Sequence, residues 1–246
     1  MAKFHRRIHA LVVAAGRGSR FGADTPKQYL HALGRTILEH SVACLDVSDI
    51  DDITLVIAKD DQMATSLDFG CDKPIYFCQG GAERFLSVRA GVEEIFRRTG
   101  GDDVWVLIHD GARPCLLPSD VHRLIDTIKE FDVGSLDNLP VGAILATPVV
   151  DTLKLAECKA NQVHISYTVS RDNLWQAQTP QVFRLHALRQ MLDYAIDNNL
   201  MITDEASGFE HLGRSVVLVQ GSRFNIKLTY PDDLKMVELI LQANKS

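Results

Sequence analysis

The sequence has no excess of positive charge: across its 246 residues, 26 Lys and Arg stand against 32 Asp and Glu, a formal net charge of -6. Wrapping a nucleic-acid backbone calls for a basic surface, so a general nucleic-acid binder is excluded. Any cationic site must be a local concentration on an acidic background, which suits a small anion better than a polymer. Cysteine pairs are missing too. Cys44, Cys71, Cys78, Cys115 and Cys158 are scattered, odd in number and without a CxxC spacing. They read as reduced thiols in a cytoplasmic protein, mostly filling the core. No apolar run approaches the ~20 residues of a membrane span, so no membrane partner is expected. The basic start "MAKFHRRIH" leads into a short apolar stretch without a cleavage site, a polar tail before a first buried strand. Hydrophobic residues still make up 46%, enough for a substantial core. Repeats, low-complexity tracts and long linkers are lacking, which gives one domain over residues 1–246.

What is present is an alternation. "ALVVAA", "ITLVIA", "PIYFCQ" and "VWVLIH" read as strands. Between and after them lie helical patterns. "TILEHSVACL" carries Ile37, Leu38, Val42 and Leu45, and "ERFLSVRAGVEEIFRR" carries Phe85, Val88, Val92, Ile95 and Phe96 on one face. "SDVHRLIDTIKEF" reads as a helix capped by Ser119. This rhythm predicts an α/β fold with a mostly parallel, Rossmann-like nucleotide-binding sheet and helices on both faces. It changes from Val141 to Val169, where "VGAILATPVVDTLKL" and "VHISYTVS" flank the polar "AECKANQ" with no helix between. That pattern predicts a protruding β-arm at about 147–172, a hairpin added to the main sheet. "RLHALRQMLDYAIDNN" is again helical, "SVVLVQG" a late strand, and "PDDLKMVELILQ" a closing helix with Pro231 in its first turn.

The first strand breaks into "GRGSRFG", which places Gly16, Gly18, Gly22, Arg17 and Arg20 within one loop. Three ligands compete for it. A dinucleotide would want an acidic residue at the end of a second strand some ~20 positions on, and Glu39 falls inside a helical run instead. A P-loop would need Gly-Lys followed by Ser or Thr, which is absent. A nucleoside triphosphate explains the most residues. Glycines let backbone N–H groups line phosphates, while Arg20 and Lys27 add full charges that help most as charge develops at phosphorus.

"VVAAGRGSRFGADTPKQYL" resembles the nucleotide-binding signature of sugar-phosphate nucleotidylyltransferases. Followed in order by "GGAERFLSV", "HDGARP", "VVDTLK", "QTPQVF", "TDEAS" and "NIKLT", it resembles the 2-C-methyl-D-erythritol 4-phosphate cytidylyltransferase family from about Leu11 to Leu241. The resemblance implies transfer of a cytidylyl group from CTP to a polyol phosphate in the non-mevalonate isoprenoid pathway, with Mg2+ or another divalent cation. It implies that Ala14, Ala15, Gly16 and Gly18 bring backbone to the nucleotide and that Gly81 and Ser87 read the base. Asp110, at the carboxyl end of a strand, can hold ribose hydroxyls or help hold the metal. His109 reads as a packed or orienting residue, because no second histidine has ligand spacing. Arg113 reads as a holder of its loop. Thr152, Arg171, Thr179 and Lys227 match positions that hold the acceptor phosphate, with Arg20, Lys27, Arg171 and Lys227 as the catalytic cations.

A phosphate monoester is already a fair nucleophile, so positioning and charge neutralisation carry the rate. The lack of any Ser/His/Asp or Cys/His arrangement agrees. Gly111 and Phe224 depart from the usual pattern, the first where many members have alanine, the second where some have an acidic residue. The family also implies a homodimer that exchanges arms, bringing Thr152 and Arg171 to the partner's site. Three other readings stay open on sequence. They are a ribitol 5-phosphate cytidylyltransferase, a non-catalytic nucleotide sensor and, more remotely, a dehydrogenase.

Overall fold

The computed structural model describes residues 6–16, 25–101, 104–131, 139–159 and 161–244. Eleven strands and seven α-helices follow one another in these segments. Strands β1 (Arg7–Val13), β4 (Asp52–Ile57), β5 (Ile75–Gln79), β6 (Val104–Asp110), β7 (Gly142–Pro148), β10 (Trp175–Arg184) and β11 (Val216–Gln220) form one sheet. Their order is β11-β7-β10-β6-β1-β4-β5. All run parallel except β10, which lies antiparallel between β6 and β7. Read from its far edge, β5-β4-β1-β6 is the order of a mononucleotide-binding half sheet. The reversal at β1 and β6 opens a crevice beyond their carboxyl ends.

β1 and β6 are buried along almost their whole length, and their side chains alternate between two cores. Ile8, Ala10 and Val12 face α1 (Ile37–Ala43) and α4 (Pro118–Glu130). Leu11, Val106 and Ile108 face α3 (Arg84–Thr99), α5 (Leu185–Asp197) and α6 (Glu205–His211). The helical spacing in α3 holds: Val88, Val92 and Ile95 are each 0% exposed. Burial of each such side chain is worth about 1.5–3 kcal/mol. Helices therefore cover both faces, as expected. The closing helix α7 (Asp233–Ala243) packs with Ile37, Ala112 and Leu228 in a third, smaller core. Beside it lies the two-stranded turn of β2 (His31–Ala32) and β3 (Arg35–Thr36).

Several local expectations need correction. α4 starts at Pro118 with Leu117 in the cap position, so Ser119 sits in the first turn and caps nothing. Proline's fixed φ favours that start, two residues earlier than a Ser119 cap would give. α7 starts at Asp233, two residues after Pro231. The Asp233 carboxylate gathers the Thr229 and Tyr230 N–H groups, each at 2.7 Å, and so ends the preceding turn itself. The apolar run 141–155 is two strands, not one. β7 belongs to the main sheet, and β8 (Leu153–Lys159) pairs only with β9 (Gln162–Val169). The hairpin is thus a separate two-stranded sheet rather than an addition to the main one. The polar "AECK" lies within β8, because an exposed strand needs no apolar face on its wet side. Sequence reading passed over β10, α6 and the short α2 (Gln62–Ser66).

Candidate active site

Four loops meet beyond the carboxyl ends of β1, β4, β5 and β6. Their backbones are cross-tied: Ala14 N–H donates to Val56 C=O at 2.8 Å, Gly80 N–H to Ile57 C=O at 2.8 Å, and Gly111 N–H to Val13 C=O at 3.0 Å. A cavity of about 280 Å3 lies between them, with Ala14, Ala15 and Gly16 on one wall and Gly81 and Ser87 on the other. Gln28, 4% exposed, fixes the first wall by donating from Nε2 to Ala14 C=O at 2.8 Å. On the second wall, a Cβ at Gly81 would stand 2.5 Å from Leu86 Cβ, so only glycine lets the chain turn this tightly into α3. Ser87 is 2% exposed and its hydroxyl turns back to Glu83 C=O at 3.1 Å.

Among the described residues, three cations reach the cavity: Lys27, Arg84 and Lys227. Lys27 is held by its ammonium donating to Leu228 C=O at 2.5 Å. That carbonyl belongs to a segment pinned to the β6 loop by Leu228 N–H donating to Ala112 C=O at 2.8 Å. Arg113 donates to Asn225 C=O at 2.6 Å, so it does hold this loop. Asp110 and Glu83 are the carboxylates of the lining, and Asp110 is the one these cations grip. Its Oδ1 accepts from Arg84 Nε at 3.2 Å and its Oδ2 from Lys227 Nζ at 2.6 Å. Burial alone would raise this carboxyl, but Arg84, Lys227 and Arg113 outweigh it and hold the group far below the usual carboxylate range.

Behind Asp110, His109 and Thr179 form a dry tie. Burial lowers the His109 imidazole to about 4, so it is neutral at neutral pH. Its Nε2 faces Arg113 C=O at 3.1 Å and must carry the proton, which leaves Nδ1 as acceptor. Thr179 Oγ1 therefore donates to Nδ1 at 3.1 Å, and its lone pair accepts Asp110 N–H at 3.0 Å. The Thr179 hydroxyl proton is engaged inside the protein rather than turned into the cavity, and the residue is only 4% exposed.

The structure thus brings Ala14, Ala15, Gly16, Lys27, Gly81, Ser87, Asp110 and Lys227 together around one cavity. Thr179 stands behind Asp110. Thr152 and Arg171 are exposed at the root of the hairpin and do not line the cavity; Arg171 donates to Val150 C=O there. Gly18 and Arg20, with Arg17 and Gly22, lie outside the described residues. Phe224 is 61% exposed and does not line the cavity, whereas Gly111 does. Sequence reading missed Arg84 and Gln28. Arg84 had a signal: it opens a helix directly after a glycine turn at a strand's carboxyl end.

The model of the family described as 2-C-methyl-D-erythritol 4-phosphate cytidylyltransferase matches residues 8–243. The enzyme of that name from Psychrobacter arcticus is 45% identical, over 97% of this chain and 92% of its own. The one from Photorhabdus laumondii is 44% identical, over 95% and 94%. Among solved structures, the Francisella tularensis enzyme of the same name superposes with a TM-score of 0.76 at 35% identity, covering 95% of this chain and 99% of its own. A 4-diphosphocytidyl-2C-methyl-D-erythritol synthase gives 0.77 at 34%, covering 96% and 99%. The chain belongs to the 2-C-methyl-D-erythritol 4-phosphate cytidylyltransferase family.

Proposed function

We propose that this cavity transfers the cytidylyl group of CTP to 2-C-methyl-D-erythritol 4-phosphate. The observation that carries the reading is the convergence of Lys27 and Lys227 with glycine-rich backbone over the β1 and β6 ends. A phosphate oxygen of the acceptor attacks the α-phosphorus of CTP; the bond to the β-phosphate oxygen breaks, and pyrophosphate leaves. Charge grows on the phosphoryl oxygens at the pentavalent stage, where Lys27 and Arg20 act. Lys227 holds the acceptor phosphate in line, together with Arg171 and Thr152. Gly81 and Ser87 read cytosine, whose N4 donor and N3 and O2 acceptors suit backbone groups plus one hydroxyl. Thr179 serves the acceptor side through its hold on Asp110. The family match and the named relatives favour methylerythritol phosphate over ribitol 5-phosphate as acceptor.

A magnesium ion fits this site in one form. Asp110 is a single carboxylate already engaged by two cations, and among the described residues no group of three His, Cys, Asp or Glu could hold a metal. Such a donor set would suit an ion that enters with the triphosphate, with Asp110 the side chain to hold it beside Glu83 of the same cavity wall. Bound there, it would neutralise triphosphate charge.

The working unit of this reading is a homodimer. Val163 and Ile165 alternate along β9, are 77% and 66% exposed, and make an apolar face with Ala156 and Cys158 opposite them. Past a register shift between Leu155 and Ala156, Leu155 and Tyr167 pair directly and are 46% and 55% exposed, a second apolar patch. An isolated two-stranded hairpin is barely stable in water, and its apolar face asks for a second layer. A second copy of the chain supplies it, with arms exchanged. Five free thiols suit a reducing cytoplasm, and among the described residues no helix is long and apolar enough to cross a membrane.

Pyrophosphate release with CTP across a panel of polyol phosphates tests the reading. Release should depend on 2-C-methyl-D-erythritol 4-phosphate; a preference for ribitol 5-phosphate would overturn the acceptor. Binding of CTP without release would favour a sensor instead.

A further inference from the structure

Glu205 is 0% exposed, and the proposed transfer gives it no task. It sits in "TDEAS", a segment that carries the family resemblance without a stated role. Arg84 grips it at two points, Nη1 to Oε1 at 2.6 Å and Nη2 to Oε2 at 3.2 Å. The remaining Nε of that guanidinium donates to Asp110 Oδ1, and Asp110 Oδ2 accepts from Lys227. Glu205, Arg84, Asp110 and Lys227 therefore form a chain of alternating charges drawn from four separate segments. Only its far end, Lys227, meets the acceptor in the reading above.

Stabilising α6 is not the task of Glu205, because other residues hold that helix start. Asp204 accepts Ser207 N–H at 2.9 Å, and Gln181 both donates to Asp204 at 2.8 Å and accepts Ala206 N–H at 3.2 Å. A buried carboxylate gripped by a guanidinium fork fixes the fork's direction instead. With Glu205 neutral, the fork would turn onto the remaining carboxylate, Asp110, and take both of its oxygens. Lys227 would then lose its anchor.

We propose that Glu205 is a positioning residue for the transfer: by occupying the fork of Arg84 it reserves one oxygen of Asp110 for Lys227, and so sets where Lys227 meets the acceptor phosphate. This inference rests on the functional reading above, in which Lys227 holds that phosphate.

Steady-state kinetics of Glu205→Gln, with CTP and acceptor varied in turn, test it. The acceptor kcat/KM should fall about tenfold or more, while the KM for CTP stays within about threefold. In an Arg84→Met background, Glu205→Gln should cause no further loss, because the fork through which it acts is gone. A merely structural role predicts that the two losses multiply. Wild-type kinetics for Glu205→Gln, or multiplying losses, would overturn the proposal. Should a single variant not fold, Arg84→Met with Glu205→Met leaves neither group unpaired in the interior. That double variant is then compared with wild type. Acceptor kcat/KM within about threefold of wild type upholds the relay, because without the fork both oxygens of Asp110 stay with Lys227; a tenfold or greater loss overturns it. The wild-type chain runs alongside: its failure to transfer would overturn the functional reading and the relay together. An active wild type with an indifferent Glu205→Gln would overturn the relay alone.

Discussion

Lys27 ends at the Leu228 carbonyl, one residue past Lys227, so two cations of the cavity share one short segment. Contact with the reacting phosphoryl group is worth most when its charge peaks, not in the ground state. Lys27→Ala should therefore lower the single-turnover rate at saturating CTP about a hundredfold while CTP affinity changes far less. An unchanged rate with weakened binding would make Lys27 a ground-state contact only. Residues of this kind were legible because they lie close together in sequence around glycines. Arg84 was not legible as a site residue, because its importance comes from Glu205 and Asp110, 121 and 26 positions away. The role expected of Thr179 was blurred for the same reason. Nothing in "QTPQVF" says that its hydroxyl is shared with His109 and Asp110 N–H.

Among elements, the central parallel strands β1, β4 and β6 were readable because their apolar runs are short, β-branched and buried on both faces. β10 was not, since "WQAQTPQVFR" mixes polar side chains with a proline, and its first three residues are exposed. Its place between β6 and β7 is set by long-range pairing. The His109–Thr179 bond is one of the ties from β6 to β10, and it predicts a pH dependence. In the unfolded chain the imidazole takes up a proton near its ordinary 6.5, but in the folded protein only near 4. Between those values the unfolded state binds the extra proton, so stability falls as pH falls. The loss totals roughly 3 kcal/mol, and the contribution is constant above the window. Urea unfolding at about pH 7.5 and about pH 5 measures it, and His109→Gln should flatten the difference. An equal pH dependence in that variant would remove His109 as its source.

Over the whole molecule, Thr152 and Arg171 stand apart from the cavity of their own chain, and the proposed dimer returns them to a partner's cavity. Lys27→Ala and Arg171→Ala chains, each inactive alone, then carry complementary lesions. After verified subunit exchange, crossing arms should restore about a quarter of all sites, because half the dimers are mixed and each has one intact site. No recovery would place Arg171 in its own chain's site. The root of the arm has a wider meaning. Pro148 and Trp175 are direct cross-strand partners at the ends of β7 and β10. Everything from 149 to 174 is therefore an insertion at the tip of an ordinary antiparallel hairpin. Excising it and closing the gap with a short turn would remove no strand from the seven-stranded sheet. The scaffold that binds nucleotide and the limb that the proposed dimer would exchange are separable pieces of one chain, free to change at different rates.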